Sequence, residues 1–386
     1  MDYKPRVLIV SGEYPPMLGG IGDYTYKLTA SLSSAGVQPL LFVPEGSRPH
    51  SQHVPIAATY GEWSWETLRC LHRTLLETEA DWLHVQHQVS MYKSHLSAYA
   101  IPRYLRWKGW RGRIAVTFHD LNPPVLFPRG MRLWRWFARD WILADLARQA
   151  DVAIAADPTH VEDLVRFGAQ SRQVPIGSNI AAHVADAYSS AQVRRRYGIP
   201  DGTFAIGHFG TPIGLETLLH ALENLPNALL LLIGKQDVLT NKANIEKLTP
   251  ELLETIEKLA VGDRLRWTGH LPEADAAAAL TACDVIVLPY AAGASLRHGG
   301  LMAAITQGKA VITSSPTRPL PGLTESEAIL TFPRGNAAGL GAAINTVAQR
   351  PEIRHSLEQR AATAARTVFS WEAIAHTHRL IYQSRP

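Results

Sequence analysis

The sequence predicts an α/β fold built from two doubly wound parallel sheets, and three observations predict it. Short runs that are apolar on both faces alternate with helix-period patterns along the chain. Strands of that kind, separated by helices, belong to parallel sheets covered on both sides. The runs fall into two series, separated by a polar, alanine-rich stretch from Ile180 to Pro200 that marks a domain boundary. A length of 386 residues, with 46% hydrophobic and 19% charged content, suffices for two full cores and is too apolar for disorder.

The first series opens with "RVLIV" (Arg6 to Val10). Tyr24, Leu28 and Leu32 then recur at helical spacing, and Gly36 supplies a stop. "PLLFV" (Pro39 to Val43), "WLHVQ" (Trp82 to Gln86), "IAVTFH" (Ile114 to His119) and "VAIAA" (Val152 to Ala156) continue it. The second series is "FAIGHFG" (Phe204 to Gly210), "ALLLLIG" (Ala228 to Gly234), "RLRWTG" (Arg264 to Gly269), "VIVLPY" (Val285 to Tyr290) and "AVITS" (Ala310 to Ser314). In open sheets of this class ligands bind outside the carboxyl ends of the strands, so the residues following each run are the candidates for chemistry.

Composition removes several classes of function. Two distant cysteines, Cys70 and Cys283, allow neither a disulfide framework nor a zinc spacing, and fit a reducing cytosol. No run approaches the ~18 apolar residues of a spanning helix, and the start of the chain reads directly into a strand, so no secretory leader is expected. A net charge of +4 suits a phosphate-bearing small ligand or an anionic membrane surface. No nucleic-acid-binding module is recognisable, and none is expected as a partner.

Four sites stand out. In "SGEYPPMLGGIGDYT" (Ser11 to Thr25) glycines precede a helix, where peptide N–H groups suit anions. Gly20 and Gly22, with Glu45 at the next strand end, approach a dinucleotide fingerprint and raise an NAD(P)-dependent oxidoreductase as an alternative. The missing third glycine and the long Tyr14–Pro15–Pro16 turn argue against it. His119 ends a strand, ahead of Asp120, where an imidazole can meet a hydroxyl or a reacting centre, or merely cap the loop. "HVQHQ" places His84 and His87 three apart, which does not favour one strand face, and no third ligand accompanies them, so no metal site is expected. His87 and Gln88 there suit acceptor contacts or packing equally. In "GASLRHGGLMAA", Arg297 and His298 precede Gly299–Gly300 at a helix start, a good phosphate cradle beside a bidentate donor.

Taken in order, "EYPPMLGGIGDYTYKLTASLSSAG", "VTFHD", "VPIGSN", "LLIGKQD", "WTGHLPEADAAAALTACDVIVLPY", "GGLMAAITQGKAVITS" and "FSWEAIAHTHRLIY" resemble the retaining family-4 glycosyltransferases of the GT-B fold. The likeness runs over nearly the whole chain. It implies two Rossmann-like domains facing a central cleft. Residues 1–185 form the acceptor domain, completed by a last helix at about 368–386, and residues 195–367 form the donor domain. It further implies transfer of a sugar from a UDP- or GDP-sugar to a hydroxyl acceptor, with no cofactor, by a front-face mechanism in which the leaving diphosphate helps deprotonate the acceptor. The residues implied at the donor are Gly19, Gly20, Thr211, Lys235, Ser295, Arg297, His298, Gly299 and Gly300. His119 is placed at the reacting centre, and Tyr24, His87, Gln88 and Asp120 at the acceptor.

The sequence departs from the family pattern in the second domain. The family's two glutamates align with Ser295 and Ala303, and its arginine and lysine after the domain's first strand are missing around Thr211 to Gly214. Departure of a nucleoside diphosphate builds negative charge, which fixed donors or cations must meet; each lost donor costs on the order of 10²–10³ in rate. A sugar-nucleotide-binding or partner subunit with impaired turnover is therefore the second reading. "RYLRWKGWRGR" (Arg103 to Arg113) and "MRLWRWFARDWILADLARQ" (Met131 to Gln149) mix cations with tryptophans, as peripheral contact with an anionic bilayer at the cytoplasmic face would require; arginines snorkelling from core-facing helices explain the same pattern.

Overall fold

The computed structural model describes residues 4–17, 19–49, 54–122, 138–182, 190–211, 214–234 and 250–384. The chain divides into two compact units, Met1–Gly177 with Trp371–Pro386, and Ser178–Ser370. The break falls between Gly177 and Ser178, ahead of the expected limit at 185, so the described parts of Ile180–Pro200 belong to the second unit.

In the first unit the elements run β1 Arg6–Val10, α1 Gly20–Ser34, β2 Gln38–Pro44, β3 Ile56–Tyr60, α2 Trp65–Glu77, β4 Trp82–His87, α3 Leu96–Tyr99, α4 Ile101–Trp107 and β5 Arg113–Phe118. A π-helical turn, Ala138–Leu143, leads into α5 Ala144–Gln149, followed by β6 Val152–Ala155, α6 Pro158–Arg166 and β7 Ser171–Gln173. Among the described residues the sheet has seven strands in the order β3-β2-β1-β4-β5-β6-β7, each pair parallel.

Local chemistry explains the boundaries. Ser64 and Asp157 accept the amides of Thr67 and Thr159 to open α2 and α6, and Pro158 takes a first-turn position where no N–H is needed. One face of the sheet packs Leu8, Val10, Phe42, Leu83 and Val85 against α2 to α5. The other packs Val7, Ile9, Leu41 and Val43 against α1 and a terminal helix, Trp371–Gln383, through Tyr24, Leu28, Ile374 and Tyr382. Two groups of that terminal helix reach the sheet directly: the Trp82 Nε1–H donates to the Tyr382 carbonyl at 3.0 Å, and the Tyr382 hydroxyl meets His84 Nδ1 at 2.6 Å.

The second unit runs α7 Ser190–Arg196, β8 Phe204–Phe209, α8 Leu215–Glu223, β9 Ala228–Ile233, α9 Pro250–Lys258, β10 Leu265–Gly269, α10 Glu273–Ala282, β11 Val285–Leu288, α11 Gly299–Thr306, β12 Val311–Ser314, β13 Leu330–Phe332, α12 Ala337–Gln349 and α13 Pro351–Thr367. Its sheet, also parallel, has six strands among the described residues, in the order β10-β9-β8-β11-β12-β13. The first strand, β8, thus lies at the sheet centre, and its carboxyl end sits between those of β9 and β11. At the opposite end Asp284 ties the unit together, accepting from the Ala205 amide at 2.7 Å and pairing with Arg194 and Arg354.

Three strands, β3, β7 and β13, lie outside the runs legible in the sequence. All are sheet edges with partly exposed residues, so they lack the two-sided apolar signature of the interior strands.

Candidate functional site

In the second unit the carboxyl edge of the sheet is lined by backbone. β8 ends in Gly210 and Thr211, β9 in Gly234, and Gly214, which precedes α8, backs onto the Pro289 carbonyl after β11. The turn into α11 is knit by Ser295 and His298. The Ser295 hydroxyl accepts from the Arg297 amide at 3.2 Å, and His298 Nδ1 accepts from the Ser295 amide at 3.2 Å. An accepting Nδ1 leaves the hydrogen of a neutral ring on Nε2. The His298 ring lies 3.7 Å, centroid to centroid, from that of Tyr290.

The glycines that open α11 differ in purpose. A Cβ on Gly300 would stand 2.8 Å from the Phe209 carbonyl and 3.2 Å from the Tyr290 hydroxyl, so only glycine lets the helix start sit this close to the end of β8. A Cβ on Gly299 would meet nothing within 4 Å. The first amides of a helix have no partner within it, which leaves those of Gly299 and Gly300 directed outward. Arg297, two residues before Gly299, is exposed, and its guanidinium has no hydrogen bond or ion pair among the described residues. The structure therefore brings Ser295, Arg297, His298, Gly299 and Gly300 together, with Thr211 at the neighbouring strand end. Lys235 lies outside the described residues. Lys309, a weaker candidate cation in the sequence, is paired instead with Glu358 at 3.6 Å.

Two members of this region escape sequence reasoning. Tyr290 reads only as a strand end, yet its phenol reaches the Leu301 amide in the first turn of α11, and burial pushes its pKa above the tyrosine range. His208, which reads only as part of an apolar run, is buried with Nδ1 3.0 Å from the Val287 carbonyl and Nε2 3.3 Å from the Thr211 carbonyl.

In the first unit the carboxyl edge carries the other candidates. Gly19 caps α1 in an extended conformation, and the Glu13 carboxylate lies against it: a Cβ there would fall 2.0 Å from Oε2. An acid of the chain itself thus occupies the entrance of α1, where Gly19 and Gly20 are expected to face donor phosphates. The Glu13 contact is confined to Gly19; a Cβ on Gly20 would meet nothing within 4 Å.

His119 stands half-buried just past β5, with Nε2 2.9 Å from Gln86 Oε1 and its ring edge-on to Tyr24 at 5.1 Å. Burial pushes its pKa down to about 4, so at neutral pH it is an uncharged hydrogen-bonding group. Tyr24 is buried between His119 and Trp371. Asp120 is buried and accepts from the Asn122 amide, and Gln88 Oε1 accepts from Ser90.

His87 is a core residue: its ring is fully enclosed by Tyr92, Tyr99 and Phe118, and burial pushes its pKa to about 3. As an acceptor contact it is therefore corrected. The three-residue spacing sends His84 to the opposite face, onto Tyr382 and Thr117. Gln86, between them, is the group that sequence reasoning misses, since strand alternation aims it at His119. Among the described residues no cluster of three or more metal-ligating side chains occurs.

Comparison with known proteins places both halves of the chain. The profile "Glycosyltransferase Family 4" matches residues 18–179, and "Glycosyl transferases group 1" matches residues 196–364. Among curated proteins no sequence matches. Among solved structures, sucrose-phosphate synthase from Thermosynechococcus elongatus is similar at 21% identity and a TM-score of 0.72, over 99% of this chain and 98% of that one. Anabaena HepE in complex with UDP and glucose is similar at 15% identity and a TM-score of 0.74, over 99% and 100%. WaaG, a glycosyltransferase involved in lipopolysaccharide biosynthesis, is similar at 14% identity and a TM-score of 0.65, over 98% and 100%. At such identities the likeness is one of fold.

Proposed function

Since this chain belongs to the GT-B glycosyltransferases of the family-4, group-1 type, we propose that it moves a sugar from a nucleoside-diphosphate sugar to a hydroxyl acceptor, with retention at the anomeric carbon. One observation carries the reading: at the carboxyl edge of the second sheet, the outward amides of Gly299 and Gly300 stand beside a guanidinium, Arg297, that has no partner among the described residues. That set suits a diphosphate. The complexes of HepE with UDP and glucose and with UDP-glucose make a UDP-sugar the first donor to try here, with a GDP-sugar second.

In the proposed reaction the acceptor oxygen bonds to the anomeric carbon as the bond to the diphosphate oxygen breaks. The acceptor's proton passes to the departing diphosphate on the same face. The α11 amides, Arg297 and the His298 ring meet the charge that develops there. Neutral His119, held by Gln86, offers its second nitrogen to a hydroxyl of the transferred sugar. Acceptor contacts fall to Gln88 and Asp120, with Tyr24 supporting His119 from below. No cofactor takes part in this scheme.

A second reading has its own observation. Ser295 and Ala303, at the positions of the family's glutamates, are both buried and carry no charge; a sugar-nucleotide-binding subunit without turnover would show the same. Calorimetry with UDP and GDP, followed by assays of donor hydrolysis and transfer from UDP- and GDP-sugars, separates the two. Transfer supports the enzyme, binding alone supports the subunit, and no binding by either nucleotide ends both.

For the acceptor side we propose peripheral contact with anionic lipid at the cytoplasmic face. Trp107 and Trp141 are 74% and 58% exposed, and the Lys108 ammonium lies 4.4 Å from the Trp107 ring. Residues 131–137 of the same basic–aromatic stretch lie outside the described residues. No helix among those described is long and apolar enough to cross a membrane.

A further inference from the structure

Among the described residues several histidines are buried, and they differ in what surrounds their nitrogens. His84 faces two hydroxyls, those of Tyr382 and Thr117, each able to donate or accept. His378 has one carbonyl partner, Ile374, and an Nε2 without any among the described residues. His208 faces two carbonyl oxygens, Val287 at 3.0 Å and Thr211 at 3.3 Å. A carbonyl can only accept. A neutral imidazole donates from one nitrogen and presents a lone pair at the other, so either tautomer sets a lone pair against an oxygen. Only the imidazolium satisfies both contacts.

The position of His208 gives this mismatch a use. Its neighbour Phe209 places its carbonyl against Gly300 at the start of α11, and the Thr211 carbonyl it touches lies at the end of β8. The ring leaves the strand on the face opposite the Phe209 side chain, toward the core of Ile206, Leu232 and Val287, and so approaches the residues assigned to the diphosphate at the strand end, through the Thr211 carbonyl. Resting on that assignment, we propose that His208 takes up a proton when a nucleoside diphosphate binds, and so becomes the buried cation of a donor site that has neither lysine nor a second arginine among its described residues.

The surroundings favour a change of state. Burial holds the pKa of His208 below the ordinary histidine value, while its two carbonyl contacts pull it upward, so the free protein carries a neutral ring poised to charge. Among the described residues no fixed charge faces it. The flanking strands β9 and β11 contribute Ala228–Ile233 and Val285–Leu288, without an ionisable residue. On its own face of the sheet pack α8 and α12; α12 carries no ionisable residue, and those of α8 are Glu216, exposed in its first turn, and His220 and Glu223 in its last. Cys283, against Gly207, has its thiol pushed up to about 12. Across Gly300 stand the Tyr290 phenol, likewise raised, and the His298 ring, whose Nδ1 already accepts from Ser295. A diphosphate at α11 is thus the one strong charge to enter, and an opposite charge nearby favours the protonated form. His208 touches backbone, not ligand, and acts as a positioning and charge-balancing residue.

Calorimetric titration of the full chain with UDP and with GDP, at pH 7 in two buffers of different ionisation enthalpy, tests this. We expect the heats to differ by the uptake of a fraction of a proton, and the Kd to rise about tenfold between pH 6 and pH 8, the equivalent of about one pKa unit. In His208→Gln, which keeps one donor for a carbonyl but cannot charge, the uptake falls to what the nucleotide's own phosphate contributes and the pH dependence flattens. Equal uptake in the two proteins overturns the proposal. Should the variant not unfold cooperatively, 15N spectra of histidine-labelled wild type decide it: saturation with UDP must produce a new doubly protonated, solvent-shielded imidazole, and its absence is equally fatal. Binding without proton uptake removes His208 alone. No binding by either nucleotide removes the donor site and this proposal together.

Discussion

Arg297 is an exposed guanidinium beside two outward amides, and its immediate sequence neighbours announce that setting. An arginine one residue removed from a glycine pair that opens a helix is a local pattern, so it is legible in the sequence. We expect Arg297→Ala to weaken UDP binding by about 1–3 kcal/mol, as for loss of a charge-assisted contact, with Arg297→Lys intermediate because the bidentate geometry is lost. Calorimetry checks it, and an unchanged Kd would take Arg297 out of the site. His87 is not legible in the same way. Its identity suggests chemistry, but whether a strand residue looks into a core or past a strand end depends on what packs over it, here Tyr92 from the turn after β4, Tyr99 of α3 and Phe118 of β5. Glu13 is hidden for a similar reason, since its contact with Gly19 depends on the path of the turn between them.

At the scale of elements, α11 is the clearest case of sequence dictating placement. Its two glycines are adjacent in the chain and opposite in constraint, which gives a paired prediction. Gly300→Ala must push the helix start away from the Phe209 carbonyl, so we expect a loss of about 1–3 kcal/mol in urea unfolding together with a weaker Kd for UDP. Gly299→Ala, entering open space, should leave stability within about 0.5 kcal/mol. Comparable losses in both would mean that the close approach of α11 to β8 is not what constrains the glycine. Interior strands such as β4 and β9 are legible because they are buried throughout. The edge strands β3, β7 and β13 are not, because half-exposed edges accept the residues that loops use.

For the molecule as a whole, the concentration of buried histidines in the first unit sets how it responds to acid. His84, His378 and His87 are wholly buried and His119 half-buried, and burial holds all four below the ordinary value of 6.5, with His119 and His378 at about 4 and His87 at about 3. Below pH 6.5 the unfolded chain binds protons that the folded chain refuses. Stability is therefore full above that value and declines as pH falls from 6.5 toward 4 and 3, with a slope on the order of 1.4 kcal/mol per pH unit for each wholly buried histidine. Urea midpoints measured from pH 8 to pH 5 should be flat and then fall. His87→Phe should make the fall shallower, since its two ring nitrogens have no partner among the described residues; a midpoint independent of pH would show that these rings charge freely in the folded state. The doubly wound pattern of both sheets can be read from the order of apolar runs. The acid response cannot, because it follows from which polar side chains the packing encloses.

The terminal helix has a consequence for how the protein is made. Trp82 on β4 and Tyr382 are joined by a hydrogen bond that spans 300 residues of sequence. A nascent chain synthesised as far as Ser370 already holds every described strand of both sheets, yet it leaves the indole N–H of Trp82 and the apolar flank of α1 open to the surroundings. Translation order and spatial order are thus at odds: the half begun first is closed last, and until then it is the half a chaperone would be expected to guard.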